Sequence, residues 1–166
     1  MLTESDEILA RLDALGIAAE TFHHPAVFTV EESLQHTAHL PGAHVKNLFL
    51  KDKKGKLWLV TCRHDLRVDL NALSRRLGAA RFSFGRPELL AEVMGVEPGS
   101  VTPLALVNDS DLRVQAVLDE ILLEHDRVNC HPLRNTASTA IGSADLVRFM
   151  RSTGHEPNVS AIDVVD

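Results

Sequence analysis

The stretch that most constrains the fold runs from Ala43 to Cys62. Val45, Leu48, Phe49 and Leu50 make Ala43–Asp52 read as a strand, and Lys53-Lys54-Gly55-Lys56 is a polar turn. Leu57-Trp58-Leu59-Val60-Thr61-Cys62 reads as the returning strand. Lys51, Lys53, Lys54 and Lys56 belong to the solvated end of this hairpin. Lys46 does not: it stands at the entrance of an otherwise apolar hairpin, with Asn47 beside it. Two readings of Lys46 stand side by side. It is an edge-strand lysine that discourages pairing, or it is a cation kept for function.

The rest of the chain interleaves helices and strands. Ile8, Leu9, Leu12 and Leu15 recur at helical spacing after Thr3-Glu4-Ser5-Asp6, and Gly16 closes that helix. Glu20–His24 reads as a short strand stopped by Pro25. Thr29 and Glu32 form a capping box, which predicts a helix from residue 30 to about 39. Pro41-Gly42 then turns the chain into the hairpin. Asp69 caps a helix carrying Leu70, Leu73 and Leu77, with Arg75 and Arg76 outside and Gly78 at its end. Arg81–Phe84 alternates as a strand. Pro87 opens a helix that Gly95 ends. Leu104–Val107 reads as an apolar strand entered through the Gly99–Pro103 loop. Residues 111–124 fit a helix by spacing, but Val114–Leu118 also passes as a strand before Asp119 caps a short helix; periodicity does not decide so short a run. Arg127–His131 and Ala137–Ile141 read as strands, and Ser143 caps a last helix closed by Gly154. A tail with Pro157 follows.

The chain has 166 residues, 45% of them hydrophobic and 24% charged, which suits one globular domain. Its net charge of −6 argues against a general nucleic-acid binder with a broad basic face, and so against DNA. A local basic patch gripping one RNA end remains compatible with it. No run approaches the ~18 apolar residues of a membrane span, and there is no apolar leader segment. Two cysteines, Cys62 and Cys130, make no disulfide framework, so a cytoplasmic setting is expected.

The familiar catalytic signatures are missing: no G-x-S-x-G, P-loop, G-x-G-x-x-G or H-E-x-x-H occurs. Nine histidines invite a metal reading through His23-His24, His36 with His39, or Cys130-His131. None has a third ligand at telling spacing, so no metal and no other cofactor is expected. Cys130 and His131 are strand neighbours and point to opposite faces, which excludes a thiol–base pair between them.

Two further stretches complete the reading. Gly99-Ser100-Val101-Thr102-Pro103 has the form G-x-x-x-P, and Asn129-Cys130-His131-Pro132-Leu133-Arg134-Asn135 follows an apolar run. With Lys46-Asn47, and in this order, these stretches resemble the YbaK-like editing-domain superfamily of prolyl-tRNA synthetase. That superfamily includes free-standing aminoacyl-tRNA deacylases. The resemblance extends from about Ile8 to the last helix, and is greatest to the branch that clears alanine from proline tRNA.

The resemblance implies an α/β fold: one domain over residues 1–166, with a curved mixed sheet or partial barrel surrounded by helices. It also favours the strand at Val114–Leu118. It implies a trans-editing ester hydrolase whose substrate is mischarged aminoacyl-tRNA, with transient contact with prolyl-tRNA synthetase as a further partnership. Lys46 then holds the phosphate or ribose of the terminal adenosine, and Asn47 bonds the ester, ribose or a water. Gly99 and Ser100 lie in the loop whose amides receive the developing oxyanion, with Val101, Thr102 and Pro103 as its substrate-binding continuation. His131 bounds the amino-acid pocket or holds the α-amine or water. Arg81 is the candidate contact to the acceptor stem. A small pocket is needed because a site built for proline rejects a smaller side chain by only ~1–3 kcal/mol. Cysteine or serine in place of alanine, or a non-catalytic tRNA- or synthetase-binding module, are the alternatives.

Overall fold

The hairpin is the centre of an eight-stranded mixed sheet. The computed structural model describes residues 3–40 and 42–165. Its strands are β1 (Ala19–His23), β2 (Ala43–Asp52), β3 (Leu57–Arg63), β4 (Phe82–Phe84), β5 (Val114–Asp119), β6 (Arg127–Cys130), β7 (Ala137–Gly142) and β8 (Asn158–Ser160). They lie in the order β1-β7-β6-β2-β3-β5-β8, with β4 also paired to β2. The β2–β6, β3–β5 and β5–β8 pairs are parallel and the others antiparallel. Around the sheet stand helices α1 (Ser5–Ala14), α2 (Val30–Thr37), α3 (Leu70–Arg76), α4 (Pro87–Met94) and α5 (Ser143–Ser152).

The β2–β3 turn is fixed by one buried carboxylate. Asp52 Oδ1 accepts from the amides of Lys54 at 2.9 Å and Lys56 at 3.0 Å, and Oδ2 accepts from the Trp58 indole at 3.2 Å. Burial pushes its pKa up, but these N–H donors outweigh burial and hold it below the ordinary carboxylate value. The strand alternation then sorts the apolar side chains. Phe49, Leu57 and Leu59 face the larger core, with Leu12 of α1, Met94 of α4 and Phe149 of α5. Leu50, Trp58, Val60 and Cys62 face a second core, with Leu73 of α3 and Phe82.

Local signals explain most of the elements. Thr29 accepts from the Glu32 amide at 3.1 Å, Asp69 accepts from that of Ala72 at 3.0 Å, and Gly95 ends α4 at φ +68°. Val114–Asp119 is the strand, and Asp119 caps the turn after it. Two expectations are corrected. Leu104–Val107 is not a strand but part of a 3-10 turn, Pro103–Asn108, because Pro103 suits a first helical turn and Thr102 accepts from the Leu104 amide. Ser143 is the first residue of α5 rather than its cap, and its hydroxyl donates to the His125 carbonyl at 2.6 Å. The tail is ordered by pairing: β8 extends the sheet beyond β5, and Val164 bridges Val68. The expected turn at Pro41 lies outside the described residues.

One feature of the sheet places the site. The His64 amide donates to His44 O at 3.0 Å and the Asp52 amide to Lys56 O at 2.9 Å, so even-numbered residues of β2 bond to β3. Odd-numbered residues therefore turn their backbone groups to the other edge. That edge meets β6 at Ala43 and His44 and β4 at Leu50–Asp52. Between them, among the described residues, no strand pairs with Val45 or Asn47.

Candidate active site

A cleft of about 280 Å³ opens at this gap in the sheet. Residues 44–48 of β2 line one side, and Val27–Val30 with Ser33, Leu34 and Thr37 of α2 line another. Pro98, Gly99 and Val101 come from the loop after α4, and His64, Asn129–His131 and Ser138 complete the wall. Because β2 presents its open edge, neighbouring side chains of opposite faces reach the same cleft.

Lys46 is half-buried here, and its ammonium group donates to the carbonyl of Leu66. Among the described residues no carboxylate pairs with it. Asn47 Oδ1 accepts from the Thr61 hydroxyl at 2.6 Å, which fixes the amide and leaves its NH2 group as the donor. His131 Nδ1 lies 3.1 Å from the Ala137 carbonyl; a carbonyl only accepts, so Nδ1 carries the hydrogen and Nε2 holds a lone pair in the neutral ring. Burial pushes the His131 pKa down, the Ala137 bond opposes this, and His24 adds to the lowering. Leu133, two residues on, is held at φ +64°, a strained conformation for a leucine.

Gly99 sits in a 3-10 turn, Pro98–Ser100, under close packing. A Cβ added there would lie 3.2 Å from Asn135 Nδ2 and 3.2 Å from Phe28. Its φ is ordinary, so closeness and not backbone freedom calls for glycine. Val101 lines the cleft beside it. Ser100, Thr102 and Pro103 are buried and lie outside the lining. The Ser100 amide is committed to Glu97 O at 2.9 Å, and Thr102 caps the following turn. Arg81 is exposed at the opposite end of the hairpin, where its carbonyl accepts from the Lys53 amide. At about 3.3 Å per strand residue, it stands roughly 20 Å from Lys46.

Several residues of the cleft were not assigned to it from the sequence. His44 and His64 stand perpendicular at 6.0 Å, and His64 Nδ1 donates to His44 O at 3.1 Å. Burial, helped by the neighbouring His64, pushes the His44 pKa down. His24 reaches Ser138, a side chain of β7, at 2.9 Å. Phe28 is 70% exposed at the cleft mouth. Cys130 lines the cleft, but burial pushes its thiol up to about 12, so it is no thiolate nucleophile. Among the described residues no three His, Cys, Asp or Glu side chains gather to hold a metal ion. Among them, too, no helix is long and apolar enough to cross a membrane.

Residues 24–149 match the model of the aminoacyl-tRNA editing domain. The chain is 46% identical over 162 residues to a prolyl-tRNA synthetase associated domain-containing protein 1 of Danio rerio, covering 96% of this chain and 86% of that protein. It is 31% identical over 149 residues to the prolyl-tRNA editing protein ProX of Acetoanaerobium sticklandii, covering 89% and 91%. Among solved structures, a candidate trans-editing enzyme for prolyl tRNA synthetase superposes with a TM-score of 0.73 at 24% identity, over 99% of this chain and 100% of that one. That likeness concerns the fold, and the family follows from the sequence match: the chain belongs to the aminoacyl-tRNA editing domain family.

Proposed function

We propose that the protein is a trans-editing hydrolase that cleaves the ester of alanine mischarged on proline tRNA. The observation that carries this reading is the meeting of an uncompensated cation, Lys46, with Asn47, Gly99 and His131 in one small cleft. A half-buried lysine with no carboxylate partner suits an anionic ligand. A phosphate or ribose of the tRNA's terminal adenosine is the anionic or polar end of such a substrate. The names of the relatives supply the tRNA and the synthetase with which transient contact is proposed.

The chemistry asks little of the protein, because an aminoacyl ester is already activated. It needs alignment of a water and donors for the oxyanion. Pro98 has no amide hydrogen, so the first amide of the Pro98–Ser100 turn belongs to Gly99. We assign it to the oxyanion. Asn47 offers its NH2 to the ester or ribose, and the lone pair of His131 Nε2 accepts from the amine or the water. Buried Ser100, Thr102 and Pro103 would then hold the loop's shape rather than touch substrate. Val27, Leu34, Val45 and Val101 give the cleft apolar walls, which admit a methyl group and resist a larger ring.

The test is deacylation of Ala-, Cys-, Ser- and Pro-tRNA(Pro) by purified protein. Hydrolysis fastest for alanine supports the reading. Preference for cysteine or serine would move the substrate within the same chemistry, and binding without hydrolysis of any of them would make the protein a non-catalytic module.

A further inference from the structure

We propose that Ser138, aligned by His24, reads the free α-ammonium group of the aminoacyl ester. This rests on the deacylase reading above.

With His24 neutral, the bonding network fixes where the protons lie. His24 Nδ1 is 2.9 Å from the Pro25 carbonyl, which can only accept, so Nδ1 carries the hydrogen. In the neutral ring Nε2 then holds a lone pair, and it is 2.9 Å from Ser138 Oγ. The hydroxyl hydrogen must point at His24. Ser138 lines the cleft and is only 5% exposed, so its oxygen presents nothing but lone pairs to the space it faces. His131 behaves the same way: its Nδ1–H goes to Ala137 O, and Nε2 is left as an acceptor. The two histidine rings meet edge to face at 6.5 Å. The start of β7 is thus an acceptor-only corner, built by a histidine that stands behind the lining.

Such a corner suits a donor with several N–H bonds. Among the described residues no aspartate or glutamate lines the cleft, so a cation there meets neutral acceptors and Lys46 stays open to an anion. The substrate carries the matching polarity, a phosphate at one end and an ammonium at the other. Lys46 takes the first and Ser138 the second. Ser138 is not assigned as a nucleophile, because the group behind His24 is a neutral carbonyl that does little to stabilise an imidazolium. His24 is a positioning residue: it turns the Ser138 proton out of the substrate's way.

The experiment compares three esters on the same tRNA(Pro): alanyl, N-acetyl-alanyl and 2-hydroxypropionyl. Wild type should hydrolyse the alanyl ester ~10-fold or more faster than the other two. Ser138→Ala should lower kcat/KM for the alanyl ester by a similar factor and lower it much less for the other two, which keep a single neutral donor. His24→Ala should act in the same sense, and Ser138→Thr, which keeps the hydroxyl, should retain the preference. Equal hydrolysis of alanyl and N-acetyl-alanyl esters by wild type would overturn the inference while leaving the deacylase reading intact. So would a Ser138→Ala loss common to all three, which is what a purely structural role gives, or an acyl group trapped on Ser138. Should Ser138→Ala fail to fold, His24→Ala carries the same three-ester comparison, and a loss shared equally by all three esters would overturn the inference. No hydrolysis of any ester would overturn the deacylase reading, and the inference with it.

Discussion

Asn135 donates from Nδ2 to the Val27 carbonyl at 2.7 Å, and Val27 returns its amide to Asn135 O at 3.2 Å. This reciprocal pair ties the loop after β6 to the segment before α2, with Gly99 packed against both. Asn135→Ala leaves Val27 O without its side-chain donor and should destabilise the protein by ~1–3 kcal/mol. Gly99→Ala forces Asn135 and Phe28 back by a few tenths of an ångström. It should lower turnover more than stability. Urea midpoints measured beside initial rates separate the two effects. A Gly99→Ala variant with wild-type turnover would remove this loop from the chemistry.

Lys46→Ala should lower deacylation by ~100-fold or more, the scale seen when a charge-stabilising group is removed. Its ammonium bonds a carbonyl and its stem is half-buried, so truncation opens no large cavity. The circular-dichroism spectrum should match wild type. Normal turnover at subsaturating tRNA, with a normal spectrum, would take Lys46 out of the site.

Stability should fall as pH drops below about 6.5. Burial is the main cause holding the His44 and His131 pKa values below the ordinary 6.5. Above 6.5 both rings are neutral, folded or unfolded. As pH falls below it, the unfolded chain takes up protons first, so stability is lost between 6.5 and the lower folded values and levels off beneath them. Asp52, held below its ordinary 3.8, acts in a lower window. Melting temperatures of His44→Asn and His131→Asn across this range should be flatter than wild type. Parallel curves would mean that these rings do not carry the dependence.

Arg81 stands about 20 Å from Lys46, too far to meet the ester. If it touches tRNA, it touches the acceptor stem. Arg81→Ala should therefore leave the single-turnover rate at saturating tRNA unchanged and reduce the preference for proline tRNA over alanine tRNA carrying the same amino acid. Unchanged preference would make Arg81 a solvated surface residue.

The sequence made the scaffold legible where local chemistry and period agree. The Lys46 hairpin, the Thr29 and Asp69 caps, and Pro87 with Gly95 all declare themselves within a few residues. Leu104–Val107 did not, because four consecutive apolar residues, three of them buried, have no period that tells a strand from a 3-10 turn. β8 was hidden because its pairing with β5 is supplied by residues some forty positions away. The cleft was half visible. Lys46, Asn47, Gly99 and His131 could be named from motifs, but Ser138 and His24 are 114 residues apart and meet only through the β1–β7 pairing. Ser100, Thr102 and Pro103 share the motif with Gly99 yet face the core, since a short turn sends neighbouring residues in different directions.

In the proposed reaction this cleft hydrolyses alanyl esters and excludes proline by size. The most direct measurement is the single-turnover hydrolysis rate of Ala-tRNA(Pro) and Pro-tRNA(Pro) by the same wild-type preparation, with Lys46→Ala as the control. Wild type should lose alanine rapidly and proline little, and the variant should lose neither. Hydrolysis of Pro-tRNA(Pro) as fast as that of Ala-tRNA(Pro), or alanine hydrolysis that survives in Lys46→Ala, would contradict this reading.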